Sequence, residues 1–359
     1  MKTAVYTIAL NEERYAEAFM QSAKNADIIV VGDSGSTDRT AEIIRDNGGH
    51  VIPLHVKPWR FDVPRNTVLS VLPADINFCI ALDLDERLCS DWRDQLERQW
   101  DVSKHNRLRF RYAHSVNADG TYGAVGMKDF AHSRDNYMWM HAVHEAPYYT
   151  GEGQEEILTL PNFLVEHHQD HTKSRGSYLP LLEVECNSKT HTPRHLFWLG
   201  REYTFTENWE KAQQWLNAFL ECDNVWHVER GHAYRLLAKA YAHLKKPTDA
   251  LMMHMASIKE APKEREMWMD LAWYHHSRDQ WPEAYGAVSQ ALRITHRPEH
   301  YLTMAEAWGY KIHELASLCA IKLGLMKIAE QQIRTAMRIA PDAQHLTRYL
   351  QVIQNEKPA

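Results

Sequence analysis

Over roughly the first 110 residues the apolar positions keep changing period, from runs that suit a buried strand to spacings of three and four that suit a helix. Residues 3–10 and 27–31 (DIIVV) read as strands, 12–25 and 38–47 as helices, and Gly48-Gly49 closes the second helix before a third strand at 50–56. A helix over 65–72 and a fourth strand at 78–82 follow. Strand and helix in alternation predict a mainly parallel sheet covered on both faces, with any ligand at the carboxyl ends of the strands.

From Thr192 onward strand patterns vanish and Trp, Leu, Ala and Tyr recur at helical spacing. Three sets share offsets of seven and five residues: Ala250, Ser257, Pro262; Ala284, Ala291, His296; Ala329, Ala336, Pro341. The step from Ala250 to Ala284 is 34 residues, the length of a tetratricopeptide repeat. Leu199-Gly200 with Tyr203 and Ala212, Leu237-Ala238 with Tyr241, and Leu271-Ala272 with Trp268 fit the same scheme, and the last copy is displaced by an insertion around 296–310. The pattern predicts stacked helical hairpins; an irregular bundle is the alternative.

Composition adds limits. The 359 residues carry a formal net charge of -6, so no overall positive field draws in nucleic acid or an anionic membrane. Five scattered cysteines without a CxxC pair suit a reducing compartment. The short apolar run in MKTAVYTIALNEER meets charge too soon for a signal peptide or a span. A cytoplasmic protein without a membrane partner is expected.

The chemistry gathers at strand ends. The fourth strand runs into Asp83, Asp85 and Glu86 (LDLDE), the second into Gly32–Thr40 (GDSGSTDRT) and the first into Asn11-Glu12. Carboxylates two residues apart on an extended strand share a side and suit a hard cation. An acidic helix start at Asp85-Glu86 and a plain capped turn after Asp33 are the structural alternatives.

Together with Arg65-Asn66, these motifs resemble the family 2 glycosyltransferases of the GT-A fold, over about residues 1–170. The resemblance extends to a subgroup with Val143-His144-Glu145, Val165-Glu166-His167, the segment from Arg175 to Leu182, and tetratricopeptide-like repeats. It implies an α/β GT-A-like (Rossmann-like) catalytic domain at 1–150, a connecting segment at 151–191 and an all-α repeat domain at 192–359. It implies a hexosyl- or pentosyltransferase that inverts the anomeric centre. Asp33, with Ala9 and Glu12 beside it, would hold the nucleoside of a UDP- or GDP-linked sugar. Arg65 would contact donor. Asp83 and Asp85 would be the DxD pair, one reaching ribose or sugar, the other binding Mn²⁺ or Mg²⁺ on the diphosphate. Arg39 stands where relatives often carry glycine.

An inverting displacement needs a base, and Asp129, Asp135 and Glu145 are the acids in reach. Glu145 is favoured because it follows MWM, a tryptophan segment suited to stacking on sugar, although a structural pairing with His144 or an arginine stays open. His167 would join Asp85 on the metal; with His168 and His171 it also reads as an exposed polar turn. Arg107, Arg109 and Arg111 share one face of a strand, solvated or holding phosphate. The acceptor is expected to be a protein or peptide hydroxyl or thiol, with a glycan or a modified base in nucleic acid open, and the repeats could pair two copies of the chain. A nucleotidyltransferase and a non-catalytic repeat scaffold are the competing functions. LNEER lacks the Gly-rich, basic phosphate loop that the former needs.

Overall fold

The computed structural model describes residues 1–117, 119–169, 176 and 178–355. The chain divides into two compact units, one holding Met1–His191 with Glu299–Tyr301 and the other the remainder. In the first, the elements are β1 (Thr3–Ala9), α1 (Glu13–Ala23), β2 (Ile28–Asp33), α2 (Thr40–Asp46), β3 (His50–Pro53), α3 (Asp62–Ser70), β4 (Phe78–Ala81), β5 (Glu86–Leu88), α4 (Trp92–Gln99), β6 (Arg107–Ala113), β7 (Val125–Ser133), β8 (Tyr137–Met140), β9 (Ala146–Tyr149), β10 (Ile157–His167) and α5 (Tyr178–Cys186).

Among the described residues, eight strands form one sheet in the order β3-β2-β1-β4-β7-β6-β10-β5, and β8 pairs with β9. The first four are parallel; β7 runs antiparallel to both β4 and β6, β10 parallel to β6, and β5 antiparallel to β10. The sheet is therefore mixed, and the parallel character read from the first 110 residues belongs to β1–β4. Period-two alternation splits the core: Val5 and Ala9 of β1 pack with Phe19 and Met20 of α1 and Leu96 of α4 on one face, and Ala4 and Tyr6 pack with Val68 and Leu69 of α3 on the other. Strands buried on both faces need the near-continuous apolar runs that β1, β2 and β4 carry.

Among the described residues the regular elements of the second unit are helices alone: α6 (Pro193–Phe205), α7 (Trp209–Leu220), α8 (His227–His243), α9 (Pro247–Glu260), α10 (Arg265–His276), α11 (Trp281–Arg293), α12 (Ala305–Trp308), α13 (Tyr310–Lys322), α14 (Met326–Ile339) and α15 (Gln344–Asn355). The pairs α6/α7, α8/α9, α10/α11 and α13/α14 are hairpins, and each turns through one left-handed residue: Glu207 (φ 56), Lys245 (φ 59), Asp279 (φ 57) and Gly324 (φ 71). The repeated small residues Ala250, Ser257, Ala284, Ala291, Ala329 and Ala336 are all fully buried. They let helices approach: the Ser317 hydroxyl of α13 donates to the Ala329 carbonyl of α14 at 2.9 Å, and a Cβ at Gly200 of α6 would collide with Leu216 of α7. The insertion at 296–310 contains the single turn of α12. Ala329→Leu forces an isobutyl group into that crossing and is expected to destabilise the repeat unit by about 1–3 kcal/mol, measured by chemical denaturation.

Candidate active site

At the end of β4 the chain leaves the sheet at Leu82 and enters a tight turn. Leu82 and Leu84 are buried in the core, Asp83 between them is half exposed, and Asp85 in the turn that follows is largely buried. The turn closes on itself, with the Asp83 N–H donating to Glu86 Oε2 at 3.0 Å and the Glu86 N–H to the Asp83 carbonyl at 3.0 Å. Glu86 starts β5 and is almost fully buried, which rules out the helix-start reading, since α4 begins six residues later at Trp92. Its Oε1 accepts from Tyr112 Oη (2.6 Å) and Lys128 Nζ (2.8 Å). The Lys128 ammonium also lies over the rings of Tyr112 and Phe130, at 4.2 and 4.3 Å from their centroids.

Arg65 on α3 is buried and binds three acceptors on two segments, the turn after β4 and the loop before β9. Nη2 donates to Asp83 Oδ1 at 2.5 Å, Nε to Glu145 Oε1 at 2.8 Å and Nη1 to the Leu82 carbonyl at 3.3 Å. Its guanidinium rests 4.8 Å from the Trp139 ring centroid, and Trp139 Nε1 donates to Tyr6 Oη (2.7 Å), which meets His132 Nε2 at 2.9 Å. Trp139 is thus the buried floor beneath Arg65, not a stacking surface for sugar. The adjacent Asn66 fixes β8 by exchanging two hydrogen bonds with the Trp139 backbone, both 2.8 Å.

Glu145 sits at the end of a strained loop between β8 and β9, where His141 and His144 adopt left-handed conformations (φ 80 and 52). Glu185 of α5 pins the loop, meeting His141 Nδ1 and the Ala142 N–H at 2.9 Å each. Two carboxylates therefore share one arginine with opposite outcomes. Burial works against ionisation of Asp83, yet Arg65 and Lys128 hold its carboxyl down at about 2. At Glu145 burial outweighs Arg65 and pushes the carboxyl above its ordinary value.

Asp85 has a different partner. His167, register partner of Glu86 where β10 meets β5, places Nε2 3.3 Å from Asp85 Oδ2. Burial lowers the imidazole's proton affinity, but the Asp85 carboxylate reverses this and leaves it raised. The spacing fits a divalent ion: adjacent ligands on an octahedral centre with bonds near ~2.1 Å lie about 3 Å apart. Asp83, already charge-balanced by Arg65, is the lesser candidate for the metal.

The donor loops lie along the same sheet edge, because β1 sits between β2 and β4 and all three run in parallel. Ala9 and Asp33 are register partners, and the Ser34 N–H donates to the Ala9 carbonyl at 2.9 Å. Both Asp33 oxygens accept from the Ser36 N–H (3.2 Å), across a turn that Gly35 makes with φ +101. Asn11, itself left-handed, accepts the Thr37 N–H at 2.7 Å, and the Glu12 N–H donates to Thr40 Oγ1 at 2.7 Å, so the two loops are laced together. Ser34 Oγ is buried there without a hydrogen-bond partner.

The other acids and arginines are spent elsewhere. Arg109 chelates Asp129 with two 2.9 Å bonds, Arg107 is buried against Glu155 and the Pro147 carbonyl, and Asp135 is exposed beside Arg134. The row of arginines on β6 is therefore neither a free solvated face nor an open phosphate site at Arg107 and Arg109. Lys128 and Glu185 escaped the sequence reading, and Glu86 stood out without its role as a buried acceptor on β5, because nothing in the local pattern reports partners 26 to 43 residues away. His171 and Arg175 lie outside the described residues.

No family model matches the chain. It is 32% identical over 97 residues to an uncharacterized glycosyltransferase of Rickettsia bellii, covering 27% of this chain and 32% of that protein. It is also 32% identical over 95 residues to the lipopolysaccharide core biosynthesis glycosyltransferase LpsC of Rhizobium meliloti, covering 26% and 35%. Part of the chain is related to glycosyltransferases. The chain spans about a third of the length of these curated relatives. Among solved structures, a thermophilic TPR protein of Thermus thermophilus is 16% identical with a TM-score of 0.38, over 50% of this chain and 90% of that one. The C-terminal part of a TPR repeat-containing protein of Cytophaga hutchinsonii is 10% identical with a TM-score of 0.41, over 50% and 64%. These scores are low, and the repeat architecture rests on the hairpins themselves. Among the described residues no helix is long and apolar enough to cross a membrane.

Proposed function

We propose that the chain is a metal-dependent, inverting glycosyltransferase that moves a sugar from a UDP- or GDP-linked donor to an acceptor hydroxyl or thiol, in the cytoplasm. The observation that carries this reading is the pair of acids gripped by Arg65 at the carboxyl edge of β4: Arg65 and Lys128 hold Asp83 ionised, while burial, working against the same arginine, leaves Glu145 a base of raised proton affinity. The relatives named as glycosyltransferases support it.

In this reading Asp33 and the laced loops receive the nucleoside. Asp85 and His167 would hold Mn²⁺ or Mg²⁺, which supplies charge neutralisation for the departing diphosphate. Asp83, oriented by Arg65, accepts hydrogen bonds from ribose or sugar. Glu145 takes the proton of the acceptor as its oxygen or sulfur attacks the anomeric carbon, and the bond from that carbon to the diphosphate breaks in the same displacement. A protein or peptide acceptor is the preferred class.

The test is a panel of nucleotide sugars scored by thermal shift with and without Mn²⁺. A donor at a hundredfold its Kd adds about 2.7 kcal/mol, a shift of several degrees for a domain of this size. Asp85→Ala is expected to remove the Mn²⁺-dependent part. Stabilisation by triphosphates alone would instead support nucleotidyl transfer, and no stabilisation by any nucleotide a scaffold.

A further inference from the structure

The repeat unit holds a cavity of about 320 Å³ beside α10, independent of the sugar chemistry. Glu266, Met269, Asp270 and Trp273 line it at positions i, i+3, i+4 and i+7 of that helix, hence on one face, and Met304, Glu306 and Lys311 stand opposite. Three carboxylates and one ammonium line it; Asp270 is offset by Arg235 and Glu306 faces Lys311, which leaves Glu266, among the described residues, as the lining carboxylate without a cation of its own.

Its charge is not compensated from within. Glu266 is 1% exposed; its Oε1 accepts from the Met304 N–H (2.9 Å) and Trp308 Nε1 (3.0 Å), while Oε2 has no partner. Among the described residues it is the one buried carboxylate oxygen in that condition. Arg265, next in sequence, donates to the Ile294 and Ala307 carbonyls and stacks on Trp308 at 3.9 Å. Arg235 is taken by Asp270 at 2.7 Å, and Lys311 stays 3.7 Å from Glu306. Burial pushes the Glu266 carboxyl above its usual range, the sign of a charge with too little compensation. A buried oxygen of this kind costs free energy unless something donates to it.

The walls select among donors. Trp273 is 37% exposed and offers a ring at the cavity mouth, and Met269 and Met304 supply soft apolar surface. A planar, weakly hydrated guanidinium on a methylene stem meets both requirements better than a compact ammonium. We propose that this cavity binds an arginine side chain of a partner peptide, its guanidinium donating to Glu266 Oε2 and lying against Trp273, with the methylenes against Met269 and Met304.

The experiment uses the full chain and fluorescein-labelled pentapeptides Gly-Ala-Xaa-Ala-Gly, with Xaa arginine, citrulline or lysine, followed by fluorescence anisotropy at physiological salt. The arginine peptide is expected to bind at least about tenfold more tightly than its uncharged citrulline isostere, the loss typical of a charged hydrogen bond. Glu266→Gln should weaken it by a similar factor. Trp273→Ala, at the rim and outside the Glu266 hydrogen bonds, should weaken it severalfold even if the first variant folds poorly. Glu283→Gln, exposed on α11, controls for net charge and should change nothing. Equal binding of arginine and citrulline, lysine binding as tight as arginine, or arginine binding indifferent to both Glu266→Gln and Trp273→Ala would overturn the proposal.

Discussion

Arg65→Ala is expected to cost the α/β unit about 3–5 kcal/mol, the range for removing one partner of a buried ionic network. The guanidinium is 4% exposed, and without it Asp83 and Glu145 face each other with no shared counter-charge and the Trp139 ring loses its cover. Arg65→Lys keeps the charge but presents one ammonium where three separate acceptors are met by a fork, so partial rescue of stability without rescue of activity is expected. The pH dependence has a definite sign. Asp83 is depressed to about 2 in the folded protein, so its contribution is present above the ordinary carboxylate value of 3.8 and lost as pH falls toward 2. The deficit of Arg65→Ala should therefore be largest near neutrality and narrow below about pH 4. Equilibrium urea unfolding at a series of pH values measures it; a variant as stable as the parent at pH 7 would mean that Arg65 does not hold the two acids.

How much of this was legible follows from the range of each signal. Apolar runs in β1, β2 and β4 report burial on both faces, which depends only on a residue's own neighbours, so these strands and the helices between them could be read directly. The ends drifted by one to three residues because caps are weak: among the first-unit helices α1 to α4, none has a side-chain cap hydrogen bond. β5 has three residues and borrows its pairing from β10, some 80 positions later, so no local period could reveal it.

The repeats were visible through buried Ala and Ser at fixed spacing, since close helix approach forbids larger groups. Their hairpin turns were not visible: three of the four left-handed positions are Glu207, Lys245 and Asp279 in place of glycine. Lys245 and Asp279 do stand 34 residues apart, a signal of position without composition. In the site, Asp83 and Asp85 stood out because acids at the tip of a buried strand break its pattern. Their division of labour did not, because it depends on Arg65 being 18 residues from Asp83 and 80 from Glu145, and on His167 lying 82 from Asp85. Trp139 shows the opposite error. An aromatic near polar residues reads as a stacking surface, yet here it is core, held by Tyr6 and covered by the arginine.

Glu145→Gln should separate chemistry from architecture. Glutamine keeps an Oε1 to accept from Arg65 Nε, so the clamp survives, but it cannot take a proton. Sugar transfer is expected to fall by about 10²- to 10⁴-fold, the range for losing a general base, while the nucleotide-sugar thermal shift stays at the parent value. Stability should move the other way from Arg65→Ala. Because burial raises Glu145 above its ordinary 4.5, the folded parent binds that proton more tightly than the unfolded chain and carries a penalty once the group is ionised. The neutral side chain lacks the penalty, so the variant should equal or exceed the parent in stability at neutral pH, and the difference should close as pH falls and the parent protonates. The parent's rate should likewise decline toward low pH with a midpoint above the usual carboxylate range, and this limb should be missing from the residual activity of the variant. Single-turnover transfer and urea unfolding across pH give both readouts. Parental turnover in Glu145→Gln would send the proton elsewhere, and neither alternative is well placed: Asp129 is chelated by Arg109, and Asp135 is 76% exposed beside Arg134.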